Sequence, residues 1–194
     1  MVPIIIGLVN LRSTHPLLKS LWLLICLAFI FDIFQVSIRF LSNEFGNAYG
    51  LVQFIFLLRV YYLAFDSKAF KGFASIGLAY IAFFLVDLFF FQPGQLSSFS
   101  ITLTSLVFII FSILYFLKLM RDLPTIQIQR LPMFWINTAV LVYFAGSFFV
   151  FLLRDYLIEV LHDNQIMYWS FHNMLNITKN LLFAIGLWQG NRKA

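Results

Sequence analysis

Only 11% of the 194 residues are charged, against about 25% in soluble domains. So little charge cannot coat a water-facing surface. Cysteine is nearly absent: Cys26 stands alone inside an apolar run, which excludes a disulfide framework and any CxxC metal or redox motif. It reads as a small buried hydrophobe. The three histidines, His15, His162 and His172, are scattered, and the chain has no HExxH, no GxSxG and no phosphate-cradling glycine loop. Neither a low-complexity tract nor an internal repeat is present. Metal and hydrolase chemistry therefore lack a sequence basis, and no metal ligands or catalytic residues are assigned.

What is there is apolar. The apolar set makes up 62% of the chain and includes 26 Phe, with 4 Trp and 8 Tyr suited to the headgroup level. Six long runs, over about 21–40, 46–65, 73–91, 99–117, 134–153 and 167–188, each match the ~20 residues a helix needs to cross hydrocarbon. They are continuous rather than alternating, which argues against a β-barrel, and a helix satisfies its own backbone in lipid. Six such spans occupy most of the chain, leaving too little for an attached catalytic, ATP-binding or DNA-binding domain. The expected fold is an all-α, polytopic transmembrane helical bundle forming a single domain over 1–194. Residues 2–10 add a partial or interfacial helix. If that segment is a shortened span, there are seven helices with the amino end outside; if it lies at the interface, there are six spans. The opening MVPIIIGLVNLR lacks the basic start and cleavage site of a signal peptide.

The formal charge of +5 follows from topology rather than from nucleic-acid binding, and no nucleic-acid partner is expected. Arg12 and Lys19 precede the first long span, Lys68 and Lys71 follow the second, Lys118, Arg121 and Arg130 follow the fourth, and Arg192 and Lys193 close the chain. The intervening connections are poor in Lys and Arg. By the positive-inside rule the basic connections and the carboxyl end are cytoplasmic, in a bacterial inner membrane. The longest inner connection, 118–133, contains Pro124 and Pro132, which interrupt a helix. It reads as a membrane-hugging loop or as the docking surface of a cytoplasmic partner.

An ionisable group in hydrocarbon costs ~2.5–3.5 kcal/mol on insertion scales, so each should face protein or a wet cavity. Asp32, Gln35 and Arg39 recur at i, i+3 and i+7, a stripe expected to point inward. Gln53 lies in the outer half of the second span. Arg59, beside Tyr61 and Tyr62, is placed to snorkel inward, and Asp87, near the end of the third span, reads as an interface residue. The last span is the richest: His172, Asn176 and Lys179 fall at i, i+4 and i+7, and Asn173, Asn176 and Asn180 at i, i+3 and i+7, so two stripes overlap on one face. Asn137, Thr138, Tyr143 and Ser147 add polar groups to the fifth span, and Thr102, Thr104, Ser105 and Ser112 to the fourth. Such residues also serve as helix glue.

The candidate ligand-binding residues are therefore Asp32, Gln35, Gln53, His172, Asn173, Asn176, Lys179 and Asn180, with Lys179 either binding an anionic group or pairing with Asp32. Three functions fit: a membrane sensor or binding protein with an outer-half site for a polar ligand or ion, a small transporter or solute-binding subunit, and a structural subunit whose network only specifies packing. No cofactor is required. A retinal Schiff base on Lys179 is chemically feasible for a buried amine, but no proline-containing aromatic motif marks the penultimate span. Asn176 to Thr178 matches N-x-T, yet mid-membrane placement rules out glycosylation. Glu159, His162 and Asp163 share a face in the last outer loop, which reads as a solvated acidic surface.

The stretch Phe134-Trp135-Ile136-Asn137, then Tyr143-Phe144-Ala145-Gly146-Ser147, then His172 through Asn180 and Phe183-Ala184-Ile185-Gly186-Leu187-Trp188 resembles a group of uncharacterised multi-span membrane proteins of Bacteroidetes-type bacteria. More loosely, 115–132 and Ile5-Ile6-Gly7-Leu8 look like the same group. The resemblance implies seven spans, a first helix shorter here than in the group, and an association with bacterial signalling; it implies no particular activity.

Overall fold

The computed structural model describes residues 2–10, 15–37, 42–65, 70–91, 96–122, 127–152 and 166–191. Among them the fold is all-α, with no strand: α1 (Val2–Asn10), α2 (Pro16–Ser37), α3 (Ser42–Ala64), α4 (Phe70–Val86), α5 (Ser98–Asp122), α6 (Pro132–Leu152) and α7 (Ile166–Asn191). A π-helical turn, Asp87–Phe91, extends α4, and a 3-10 turn, Ile128–Arg130, precedes α6. Both α2 and α6 begin on a proline, whose fixed φ suits the first helical position and whose missing N–H is not needed there. Leu17 N–H is also within 3.4 Å of the His15 ring, which helps cap α2.

Among the described residues, Pro16–Gln35, Lys71–Phe91, Ser98–Asp122 and Pro132–Leu152 are long and apolar enough to cross a membrane. By the same measure α3 and α7 are not apolar enough, because they carry the densest polar residues. Large apolar side chains lie bare on the surface, among them Leu78 and Phe90, which is 79% exposed. Water would penalise such faces and hydrocarbon accepts them. α5 runs beyond its expected end, so residues 118–122 of the basic connection are helical; its 123–126 portion, the connections holding Arg39 and Lys68, and the acidic Glu159, His162 and Asp163 lie outside the described residues.

The chain divides into two compact units, essentially Pro3–Ser100 and Ile101–Ala194. In the first unit α2 and α3 are antiparallel, with Phe31 on Tyr49 (centroids 5.8 Å) and Phe34 on Phe45 (5.7 Å). α3 and α4 are antiparallel too: Phe54 stacks on Tyr80 at 3.6 Å and Tyr62 meets Phe73 at 5.7 Å. The core is centred on α3, whose Phe54, Leu57, Val60 and Tyr61 are fully buried. α1 docks on α2 through Trp22, whose indole N–H donates to the Ile4 carbonyl at 3.1 Å. A Cβ on Gly7 would run into that ring, so only glycine lets α1 approach so closely.

In the second unit α6 is the central helix, with Ile136, Asn137, Ala139 and Val140 shut off from the surface. Towards α5 it sets Phe144 against Phe108 (5.1 Å) and Phe134 against Phe116 (6.0 Å), and Asn137 Nδ2 donates to the Ser112 carbonyl at 3.0 Å. That bond satisfies a buried amide by crossing helices, the role small polar groups serve in apolar surroundings. Towards α7 the backbones come close at both ends: a Cβ on Gly146 would press on Leu175, and one on Gly186 would meet Ile136 and the Pro132 carbonyl at 3.1 Å. The pairs 146/175 and 136/186 run in opposite directions, so α6 and α7 are antiparallel.

Candidate functional site

α7 turns about 100° per residue, and this rotation separates its two polar stripes. His172, Leu175, Lys179 and Phe183 are buried, Asn176 is half-buried, and Asn173 and Asn180 are exposed. The face that packs on α6 therefore carries His172 and Lys179 but not Asn173 or Asn180, although the sequence stripes overlap at Asn176. Leu175 and Phe183 belong to this packed face.

Lys179 is 5% exposed, with Nζ 3.8 Å from the centre of the Tyr143 ring on α6. A desolvated cation–π contact of this kind is worth up to about 2 kcal/mol. Two turns nearer the start of α7, His172 is 9% exposed and lies against Tyr143 (5.7 Å) and Phe151 (5.4 Å). Asn176 Nδ2 stands 3.3 Å from His172 Nε2. An amide NH2 only donates, so this bond requires the neutral tautomer with its proton on Nδ1. The imidazole is thus fixed by two aromatic walls and one amide.

Ser147, on α6 between Tyr143 and Phe151, completes the arrangement. It is 1% exposed and its Oγ makes no hydrogen bond. A serine or threonine in a helix commonly bonds back to the carbonyl four residues earlier. Ser20, Ser75, Ser105, Thr138 and Thr178 all do so here, at 2.8 to 3.0 Å. Ser147 does not, and it sits on the helix turn between the two rings that flank His172.

The remaining candidates belong to the first unit. Asp32, expected to face protein, is exposed on α2 beside the exposed Ile30, Ile33 and Phe34; the buried face of α2 is carried by Leu17, Leu18, Leu21, Leu24 and Ile25, nearer its start. Gln35 is half-buried, Gln53 is buried in α3 next to Phe54, Arg59 is exposed, and the Arg39 of the expected stripe lies outside the described residues. The expected pair Asp32 and Lys179 draws its members from different units.

Asp87 is not the interface residue the sequence suggests. It is 0% exposed, and Ser100 donates to its Oδ2 through both N–H (2.9 Å) and Oγ (2.6 Å). The carboxylate caps α5 from another helix and complements the positive end of its dipole. The available signal was the run Ser97-Ser98-Phe99-Ser100, a typical helix start.

Chemically, the α6/α7 site offers an ammonium, an amide and a free hydroxyl in apolar walls. It can bind and orient a polar group. No group of three His, Cys, Asp or Glu suited to a metal occurs among the described residues. No family model, curated protein or solved structure matches the chain.

Proposed function

We propose that this chain is a binding or sensing protein of a bacterial inner membrane that takes a small anionic group between α6 and α7, with its carboxyl end in the cytoplasm. The observation that carries the reading is Ser147: a buried hydroxyl left out of its own helix's back-bonding, on the turn between the rings that hold His172. Unmade hydrogen bonds at buried sites are costly, and a network serving packing alone bonds its members to one another in the resting state. Lys179 supplies the charge that favours an anion, and Asn176 and Ser147 supply further donors. Occupation would draw Lys179 off the Tyr143 ring and alter how α6 seats on α7. The basic connection after α5 would relay that change to a cytoplasmic partner, in line with the resemblance to signalling-associated multi-span proteins. The loop-charge alternation supports the orientation.

The test is thermal unfolding of the purified protein in detergent against a panel of carboxylates, inorganic phosphate and phosphatidylglycerol. A ligand binding the folded state alone raises the midpoint by mass action. A member of the panel should raise the wild-type midpoint, and Lys179→Met and Ser147→Ala should abolish or weaken that rise while leaving the protein folded. If nothing shifts the wild type, and Asn176→Leu and His172→Phe both unfold it, the residues are a packing network and the reading fails.

A further inference from the structure

A second polar cluster lies wholly in the first unit, where α3 begins, α4 ends and α5 begins. Asn47 of α3 accepts from Ser97 N–H at 2.9 Å. Ser100 fills one oxygen of Asp87, as described. Two buried oxygens in this cluster have nothing to bond: Asp87 Oδ1, on a residue 0% exposed, and Ser97 Oγ, on a residue 1% exposed. An orphan carboxylate oxygen in apolar surroundings is among the costliest groups to leave alone. Asp87 opens the π-helical turn Asp87–Phe91, an irregularity common at functional sites.

We propose that Asp87 Oδ1 and Ser97 Oγ hold an alkali-metal cation at the junction of α3, α4 and α5. The ligand chemistry selects it. Both free groups are hard oxygens, which suits alkali and alkaline-earth ions rather than softer metals. The cluster has a single carboxylate, and part of that charge already answers the amide end of α5. A cluster with no more than one negative charge matches a monovalent ion, whereas calcium sites gather several carboxylates and carbonyls. Asn47 contributes by fixing the Ser97 backbone rather than by ligation, since its Oδ1 is engaged by Ser97 N–H. The cation would tie the end of α4 to the start of α5, so its loss would loosen the link between them. None of this depends on the ligand proposed for α6 and α7.

The test uses the purified full chain in detergent, with NaCl or, separately, KCl replacing choline chloride at constant ionic strength and pH. The wild-type midpoint should rise saturably with one of the two cations. Ser97→Ala, which removes a hydroxyl that makes no bond in the fold, should raise the half-saturating concentration about tenfold, the effect of losing one modest ligand. Asp87→Asn, which keeps an acceptor for Ser100, should remove the response; if it does not fold, Ser97→Ala decides alone. A wild-type midpoint indifferent to which cation is present overturns the proposal, as does a Ser97→Ala titration that superimposes on the wild type. A midpoint that ignores both cations but follows pH in the wild type, and not in Asp87→Asn, also overturns it and gives the orphan oxygen to a proton.

Discussion

Lys179 and Tyr143 face each other across α6 and α7, the ammonium 3.8 Å from the ring centre. The pair meets because Gly146 lets Leu175 close on α6 one turn away, and because Lys179 lies one helical turn beyond Leu175 on the buried face. If the ring stabilises the charge, Tyr143→Leu should lower stability by about 2 kcal/mol, while Tyr143→Phe, which keeps the ring face, should cost about 1 kcal/mol or less. Lys179→Met in the Tyr143→Leu background should recover much of the loss, since it removes the stranded charge. Detergent unfolding of the four proteins gives the coupling energy. Additive losses would mean that the cation does not depend on the ring.

The division of α7 shows how far the sequence is legible. Its approximate extent, its polar character and the helical spacing of His172, Asn176 and Lys179 can be read from the 3.6-residue period. Which polar stripe faces protein cannot, because a single asparagine, Asn176, lies on the edge of both. The helix rotates Asn173 and Asn180 outward once Leu175 and Phe183 pack inward, and Gly146 is what seats Leu175. Asp87 is a different failure. Position near a span's end suggests contact with water, but its burial comes from Ser100, 13 residues away and in the next helix. A local pattern cannot carry that information. Pro16 and Pro132, by contrast, mark helix starts by local chemistry alone.

That dependence on Ser100 makes Asp87 a stability determinant in its own right. Asp87→Ala would leave a buried N–H and a buried hydroxyl without their acceptor and remove the charge that complements the α5 dipole. The expected loss is ~2 kcal/mol or more, within the range for caps and buried hydrogen bonds together. Ser100→Ala, which loses the hydroxyl but keeps the N–H donor, should be milder. Equal midpoints for wild type and Asp87→Ala would show that the cap carries no weight.

The seat of α1 rests on Gly7 and Trp22. Gly7→Ala should destabilise by about 1–3 kcal/mol, because a methyl group must displace a large ring in a packed contact. In a Trp22→Leu background the same substitution should cost little, the obstacle being gone. This non-additivity separates a steric cause from a loss of helix-independent flexibility, which would act equally in both backgrounds. An undiminished loss in the Trp22→Leu background would place the effect elsewhere.

Orientation is tested by impermeant thiol labelling in a Cys26→Ala background, and the structure dictates where the probes go. Asn47 and Ser97 flank the expected outer connections but are buried and bonded to each other, so cysteines there would report burial rather than sidedness. Glu44, Lys71 and Gln127 are exposed. With basic connections inside, Glu44→Cys should label in intact cells, while Lys71→Cys and Gln127→Cys should label only after permeabilisation. The comparison also bears on α3, which holds Glu44 near its start and precedes the α4 helix of Lys71, and which is not apolar enough to pass as a span alone. If α3 crosses, shielded by its neighbours, the two probes lie on opposite sides. Labelling of both from outside would mean that it does not cross, and the reverse of the expected pattern at all three positions would invert the orientation and place the α4/α5 junction inside.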